Sequence, residues 1–248
     1  MLSQLSAVLL GLAALVAAAP AQEAATSLSP RAFNCNNPVA GLNKGDCEYL
    51  TRIGFAGMGS NPTNSASRIW IGNNGPNIFT FTNRASVDIA LVLWDNSNGY
   101  ASSFVAAHAP KLTYSIPRGN TVTVSLANGV TGAYSAIYGR STVISPNGQV
   151  FNTWGEFTTG NYATIDISRM VNMGGNGFSA RVSTGCVADN SRCAYVCKGG
   201  KNTCWESGTY DLIGCIDQKN NNAWYGPNPE GGCAGWDNGS GRISAEFY

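Results

Sequence analysis

The chain has 248 residues, a formal net charge of +1 and only 12% charged residues, with 30 glycines and 8 cysteines. A balance this even, with no Lys/Arg cluster beyond isolated pairs, excludes the electrostatic footprint of a phosphate-backbone binder, so nucleic acid is not an expected partner. No stretch approaches the roughly 18 apolar residues that a membrane-spanning helix needs, so a membrane-embedded protein is not expected either.

In chain order, the first feature is an apolar and small-residue run over 7–19, followed by Pro20 and the first acid, Glu23. It is too short to span a bilayer and has the length of a signal-peptide core, with Val16-Ala17-Ala18 as the small residues before cleavage. Residues 1–18 are therefore read as a signal peptide and the mature protein as secreted and extracellular. Residues 19–32, rich in Ala, Ser, Pro and Gln without periodicity, are read as a disordered leader.

Residues 33–76 are expected to form a small N-terminal extension. Cys35 and Cys47 close it with one disulfide, and a helix over 44–55, capped by Asp46, places Tyr49, Leu50 and Ile53 near helical spacing. Gly54 and Gly57 end the helix; a short strand over 68–71 and the turn Gly72-Asn73-Asn74-Gly75-Pro76 follow.

From Ile78 the pattern changes to period two, as where Val122, Val124 and Leu126 alternate with Thr121, Thr123 and Ser125. Strands are predicted at 77–83, 87–94, 111–116, 121–126, 133–138, 150–157, 162–168, 178–182 and 242–247. Many short strands between Gly, Asn and Pro turns predict an all-β fold, an antiparallel β-sandwich or barrel. Cys186, Cys193, Cys197, Cys204, Cys215 and Cys233 crowd into residues 183–241, read as a disulfide-rich C-terminal lobe of turns inserted before the last strand. In an oxidising compartment, and with His108 as the lone histidine, these cysteines pair with one another rather than hold zinc; which pairs form stays open.

Specific wording then points to a family. Asn77-Ile78-Phe79-Thr80-Phe81-Thr82-Asn83-Arg84-Ala85-Ser86 resembles the first strand of thaumatin-like proteins, and Ile137-Tyr138-Gly139-Arg140-Ser141 resembles their Ile-Trp-Gly-Arg-Thr strand. Thr153-Trp154-Gly155-Glu156-Phe157 and Asp166-Ile167-Ser168 are similar to the family's Leu-Ala-Glu-Phe and Asp-Ile-Ser, and Gly185-Cys186 falls where its cysteine-rich lobe begins. The resemblance implies a thaumatin-like domain over 77–248, closest to the small secreted thaumatin-like effectors and elicitors of filamentous fungi. It departs at Ala85, where the family has a cysteine; that cysteine's partner near the chain end is absent as well.

Alternation places Glu156 with Trp154, and Asp166 with Tyr162, on one face of two successive strands. With a hairpin between them, two carboxylates and two rings share an exposed surface suited to a sugar, the rings stacking on its apolar faces and the carboxylates accepting its hydroxyls. Asp211 and Asp217 of the lobe can close such a cleft from the other side. The lobe aromatics Trp205, Trp224, Tyr225 and Trp236 are read first as packing against disulfides and second as ligand anchors, and Asn238 lies in the one acceptable N-glycosylation sequon.

In thaumatin-like relatives the matching Glu and Asp line an acidic cleft, and some members bind or cut β-1,3-glucan. Here the family's further Asp is missing from Arg169-Met170-Val171-Asn172, and its cleft Arg has only Lys111 and Arg118 as stand-ins. The expected function is therefore a non-enzymatic, monomeric secreted effector that presents a rigid surface to a host surface protein or cell-wall β-glucan. The alternative is a glucan binder or weak glycoside hydrolase with Glu156 and Asp166 as its catalytic pair. No cofactor and no metal are expected.

Overall fold

The computed structural model describes residues 33–96, 104–215, 223–225, 228–236 and 241–248. The signal peptide and leader expected over 1–32, together with Asp217 and Asn238, lie outside the described residues.

One helix, α1 (Lys44–Arg52), precedes the sheets. Its cap is Asn43 rather than Asp46: Asn43 is extended, and its side-chain oxygen accepts from the Asp46 backbone N–H at 2.8 Å. Asp46 sits within the first turn instead, where its carboxylate accepts from Ser115 Oγ at 2.6 Å and from Arg140 Nε at 2.9 Å. Those bonds pin the helix to the sheet behind it. The helix closes at Ile53, ahead of Gly54, whose φ of 96° lies in the left-handed region that favours glycine.

Among the described residues, thirteen strands form two sheets. The six-stranded sheet runs β1 (Ile69–Ile71), β5 (Thr121–Leu126), β2 (Asn77–Asn83), β15 (Arg242–Phe247), β9 (Phe178–Val182), β10 (Val187–Asp189). The seven-stranded sheet runs β12 (Tyr210–Ile213), β11 (Ala194–Cys197), β8 (Thr164–Ser168), β7 (Trp154–Thr158), β6 (Thr131–Tyr138), β3 (Ile89–Asp95), β4 (Leu112–Ile116). A separate hairpin pairs β13 (Ala223–Tyr225) with β14 (Asn228–Glu230).

The all-β expectation holds, but both sheets are mixed rather than antiparallel. β15 runs parallel to β2, and β11 runs parallel to β8. Both pairs are joined through long stretches of chain, which is what parallel neighbours require. The region read as a lobe of turns also supplies strands: β10 extends one sheet, β11 and β12 the other. β1, placed by its sequence in the N-terminal extension, pairs with β5 in the six-stranded sheet.

The pleat sends Phe79 and Phe81 of β2 inward to meet Tyr134, Phe157 and Phe247, with Phe178 packed on Tyr134 and Phe247, while Thr80 and Thr82 face outward. β3 is apolar from Ile89 to Trp94, where both of its faces are covered. Ile89, Leu91 and Leu93 enter the core between the sheets; Ala90, Val92 and Trp94 enter a second core beneath Leu50 of α1, Phe55 and Phe104.

Four disulfides are formed: Cys35–Cys47, Cys186–Cys233, Cys193–Cys215 and Cys197–Cys204. No helix of the described residues is long and apolar enough to cross a membrane. Cys186 follows β9 in one sheet, whereas Cys233 exchanges backbone hydrogen bonds with Ile165 of β8 in the other, so this bridge ties the two layers together. Its 47-residue separation is the longest of the four. Replacing Cys186 and Cys233 together by Ser should lower stability by about 2–4 kcal/mol in urea unfolding. A loss smaller than that of the Cys35/Cys47 double substitution would show that the layers are held by packing alone.

Candidate functional site

Glu156 of β7 and Asp166 of β8 are direct partners across the antiparallel ladder. Alternation turns Phe157, Ile165 and Ile167 into the core, which leaves both carboxyls on the outer face of the seven-stranded sheet. That face is not the open surface expected from the sequence. Asp166 is only 8% exposed, Glu156 is half-buried, and Asp166 Oδ1 has no hydrogen-bond partner among the described residues.

Burial pushes both acids above the usual carboxylate range. For Asp166 the neighbouring Glu156 charge adds to the effect, and for Glu156 a hydrogen bond from the Ser168 hydroxyl holds it back. Two carboxyls so close in a poorly solvated place do not both ionise readily, so the pair tends to retain a proton.

Glu156 stands between two hollows. On one side is a cleft of about 360 Å³ walled by Tyr195, Tyr210 and Trp205, with Ser168 beside Glu156 on its floor. On the other is a smaller hollow of about 200 Å³ that holds Asp166, Asn96, Thr131 and Thr164. The aromatic cleft reaches one carboxyl of the pair, and the small hollow reaches both.

The aromatic wall comes from the cysteine-rich region. β11 carries Tyr195 and β12 carries Tyr210, their ring centroids 6.0 Å apart and edge to face. The Tyr195 hydroxyl donates to the Gly231 carbonyl at 3.2 Å. The Cys197–Cys204 bridge and the Cys204 N–H to Met170 carbonyl bond hold the loop that presents Trp205, whose side chain is largely open to solvent at 59% exposure.

The rings expected at the site lie elsewhere. Trp154 shares the outer face with Glu156 but is 2% exposed, stacked on Trp94 at 5.4 Å and covered by Phe104, so it offers no surface to a ligand. Tyr162 is exposed, but β8 begins at Thr164 and leaves it in the β7–β8 turn, where it lines a separate hollow with Asn128 and Gly160. Asp211 neighbours Tyr210 yet does not line the cleft; its carboxylate pairs with Lys198 at 3.0 Å. Trp236, read as packing against disulfides, is a core residue packed on Phe79, whereas Trp205 is exposed at the cleft.

No metal centre is formed by the close-packed sulfurs of Cys186, Cys193 and Cys233, since each is already bonded in a disulfide. Comparison with protein-family models and with curated proteins finds no match to this chain.

The raised carboxyls have a measurable consequence. The folded chain binds these protons more tightly than the unfolded chain. The pair therefore favours folding below the ordinary carboxylate range and loses that contribution as pH rises through the raised values. Asp166→Asn, neutral at every pH, should be more stable than the parent by ~1–3 kcal/mol at neutral pH. The gap should close toward about pH 4, below which the parent acid is also protonated. Thermal melts of both proteins across this range test it; a gap independent of pH would mean that Asp166 titrates normally.

Proposed function

We propose that this chain is a secreted thaumatin-like protein that binds a cell-wall β-glucan in the cleft between the seven-stranded sheet and its cysteine-rich extension, without cleaving it. The observation that carries this reading is the pairing of Glu156 with an aromatic wall of Tyr195, Tyr210 and Trp205 in one cleft. Neutral sugars present apolar faces to rings and hydroxyls to acceptors, and the cleft supplies both kinds of group. The thaumatin-like wording of the sequence supports β-1,3-glucan as the sugar. The signal-peptide pattern and four disulfides support an extracellular site of action. An effector or elicitor role follows from such binding at a wall surface.

The same geometry argues for binding over hydrolysis. Glycoside hydrolysis takes two carboxyls on either side of the scissile bond. Here a sugar lying on the aromatic wall meets Glu156, while Asp166 opens only to the hollow beyond it. The pair's retained proton is the one feature that favours the hydrolytic alternative.

Titration of the purified protein with laminarin, followed by calorimetry, tests the proposal. Trp205→Ala should weaken binding at least about tenfold, a loss of roughly 1.4 kcal/mol. No binding by the parent, or an unchanged affinity in the variant, overturns it. Release of reducing ends that disappears in Glu156→Gln would replace it with the hydrolase reading.

A further inference from the structure

The six-stranded sheet also has an outer face, on the side of the molecule away from the acid pair, and its chemistry is different. Where β9 lies beside β15, Arg181 is paired with Ser244 and Ser179 with Glu246. These residues line a trough of about 520 Å³ that ends at Tyr248, the chain's last residue, whose ring is 51% exposed. Across Arg181 and Ser244 the trough continues into a second hollow of about 470 Å³, which contains Thr80, Ser183 and Arg242.

Four arginines border this surface, and they are not equivalent. Arg84 is neutralised by Glu246 at 3.1 Å, and Arg192 by Asp189. Arg242 is held by the carbonyls of Pro76 and Gly241, both at 2.9 Å, and has no carboxylate at ion-pair distance among the described residues. Arg181, exposed at the waist of the trough, has no side-chain hydrogen bond and no carboxylate at ion-pair distance among the described residues, although its charge acts on Glu246, which stands diagonal to it on the same face. Arg181 faces Ser244 and Arg242 lies two residues away on the same strand, so the two cations are diagonal neighbours on one face, roughly 7–8 Å apart at the backbone.

We propose that this trough is a second carbohydrate site, one that binds an acidic polysaccharide of the polyuronate class, with successive carboxylates paired to Arg181 and Arg242. A guanidinium matches a carboxylate with two parallel N–H donors. Around the cations stand the hydroxyls of Thr80, Ser179, Ser183 and Ser244, groups suited to sugar hydroxyls, and Tyr248 offers one ring for stacking.

The charge and composition of the face favour this occupant over other polyanions. With Arg84 and Arg192 already compensated, two surplus cations are too few for the multiple phosphate contacts that drive nucleic-acid binding. A protein partner would be anchored by buried aromatic or aliphatic side chains, and Tyr248 is the only large exposed hydrophobic of the trough among the described residues.

Binding of sodium polygalacturonate to the full chain at low ionic strength, read by calorimetry, tests the proposal. Arg181→Glu should weaken it by more than about tenfold and Arg181→Ala by a smaller factor; both residues are exposed at this position, and circular dichroism checks that the fold is kept. Fully methyl-esterified pectin, which lacks the charge, should not bind, and excess laminarin should not displace polygalacturonate. Four results overturn the proposal: no binding of polygalacturonate, unchanged affinity in Arg181→Glu, equal binding of the esterified polymer, or displacement by laminarin. Binding of heparin or duplex DNA in place of polygalacturonate would assign the face to another polyanion and overturn it as well. Because the probe and the face differ from those of the glucan cleft, either site can fail without the other.

Discussion

Burial of the seven-stranded sheet on both faces is the constraint on which the rest of the structure depends. Its inner face packs against the six-stranded sheet, and its outer face is covered by α1, Phe55, Phe104 and Val150 over strands β3, β6 and the start of β7. Leu50 and Cys47 of the helix reach this second core, and the Asp46–Arg140 pair at 2.9 Å holds the helix in place. The cover gives out one pleat beyond Trp154. There the outer row passes to Glu156 and Asp166, and the β11–β12 extension rises on the far side. The candidate cleft is thus the gap left between two covers of one sheet.

That position explains the electrostatics of the acid pair. A carboxyl at the edge of an apolar cover loses hydration without gaining cationic partners; the nearest polar help is the Ser168 hydroxyl. An ion pair would have made the site a structural lock, as Asp46 and Arg140 do elsewhere. Left without one, the pair is a poorly solvated acidic floor, and the rings above it are held by the Cys197–Cys204 and Cys193–Cys215 bridges at either end of β11.

Much of the sheet was legible as period-two alternation. The limits of β2, β5, β9 and β15 coincide with their predicted ranges; β5, β9 and β15 each have one face in the core and a more exposed one, and in β2 apolar residues alternate with Thr although both faces are largely buried. The lobe strands escaped because they are only three or four residues long and lie between cysteines, glycines and turns, where alternation has no room to show. The helix cap was misread for a local reason: Asn and Asp are both good caps, and it is Asn43 that has the extended backbone from which its side chain accepts the Asp46 N–H. Glu156 and Asp166 could be placed on one face from the hairpin between their strands, since register follows from alternation and the turn.

By itself the sequence determined the class of fold, the wording of the central strands, the bridge between Cys35 and Cys47, and the pairing of one Glu with one Asp. These rest on contacts between residues near in sequence or on a repeating pattern. Only the tertiary structure decided which aromatic residues are open to solvent at the cleft. Trp154 and Trp205 are the same residue type and each follows a plausible strand or bridge, but one is roofed by Trp94 and Phe104 and the other is not. It likewise decided that Arg181 has no ion-pair partner among the described residues while Arg84 and Arg192 have theirs, because which charges meet depends on strands brought together from opposite ends of the chain.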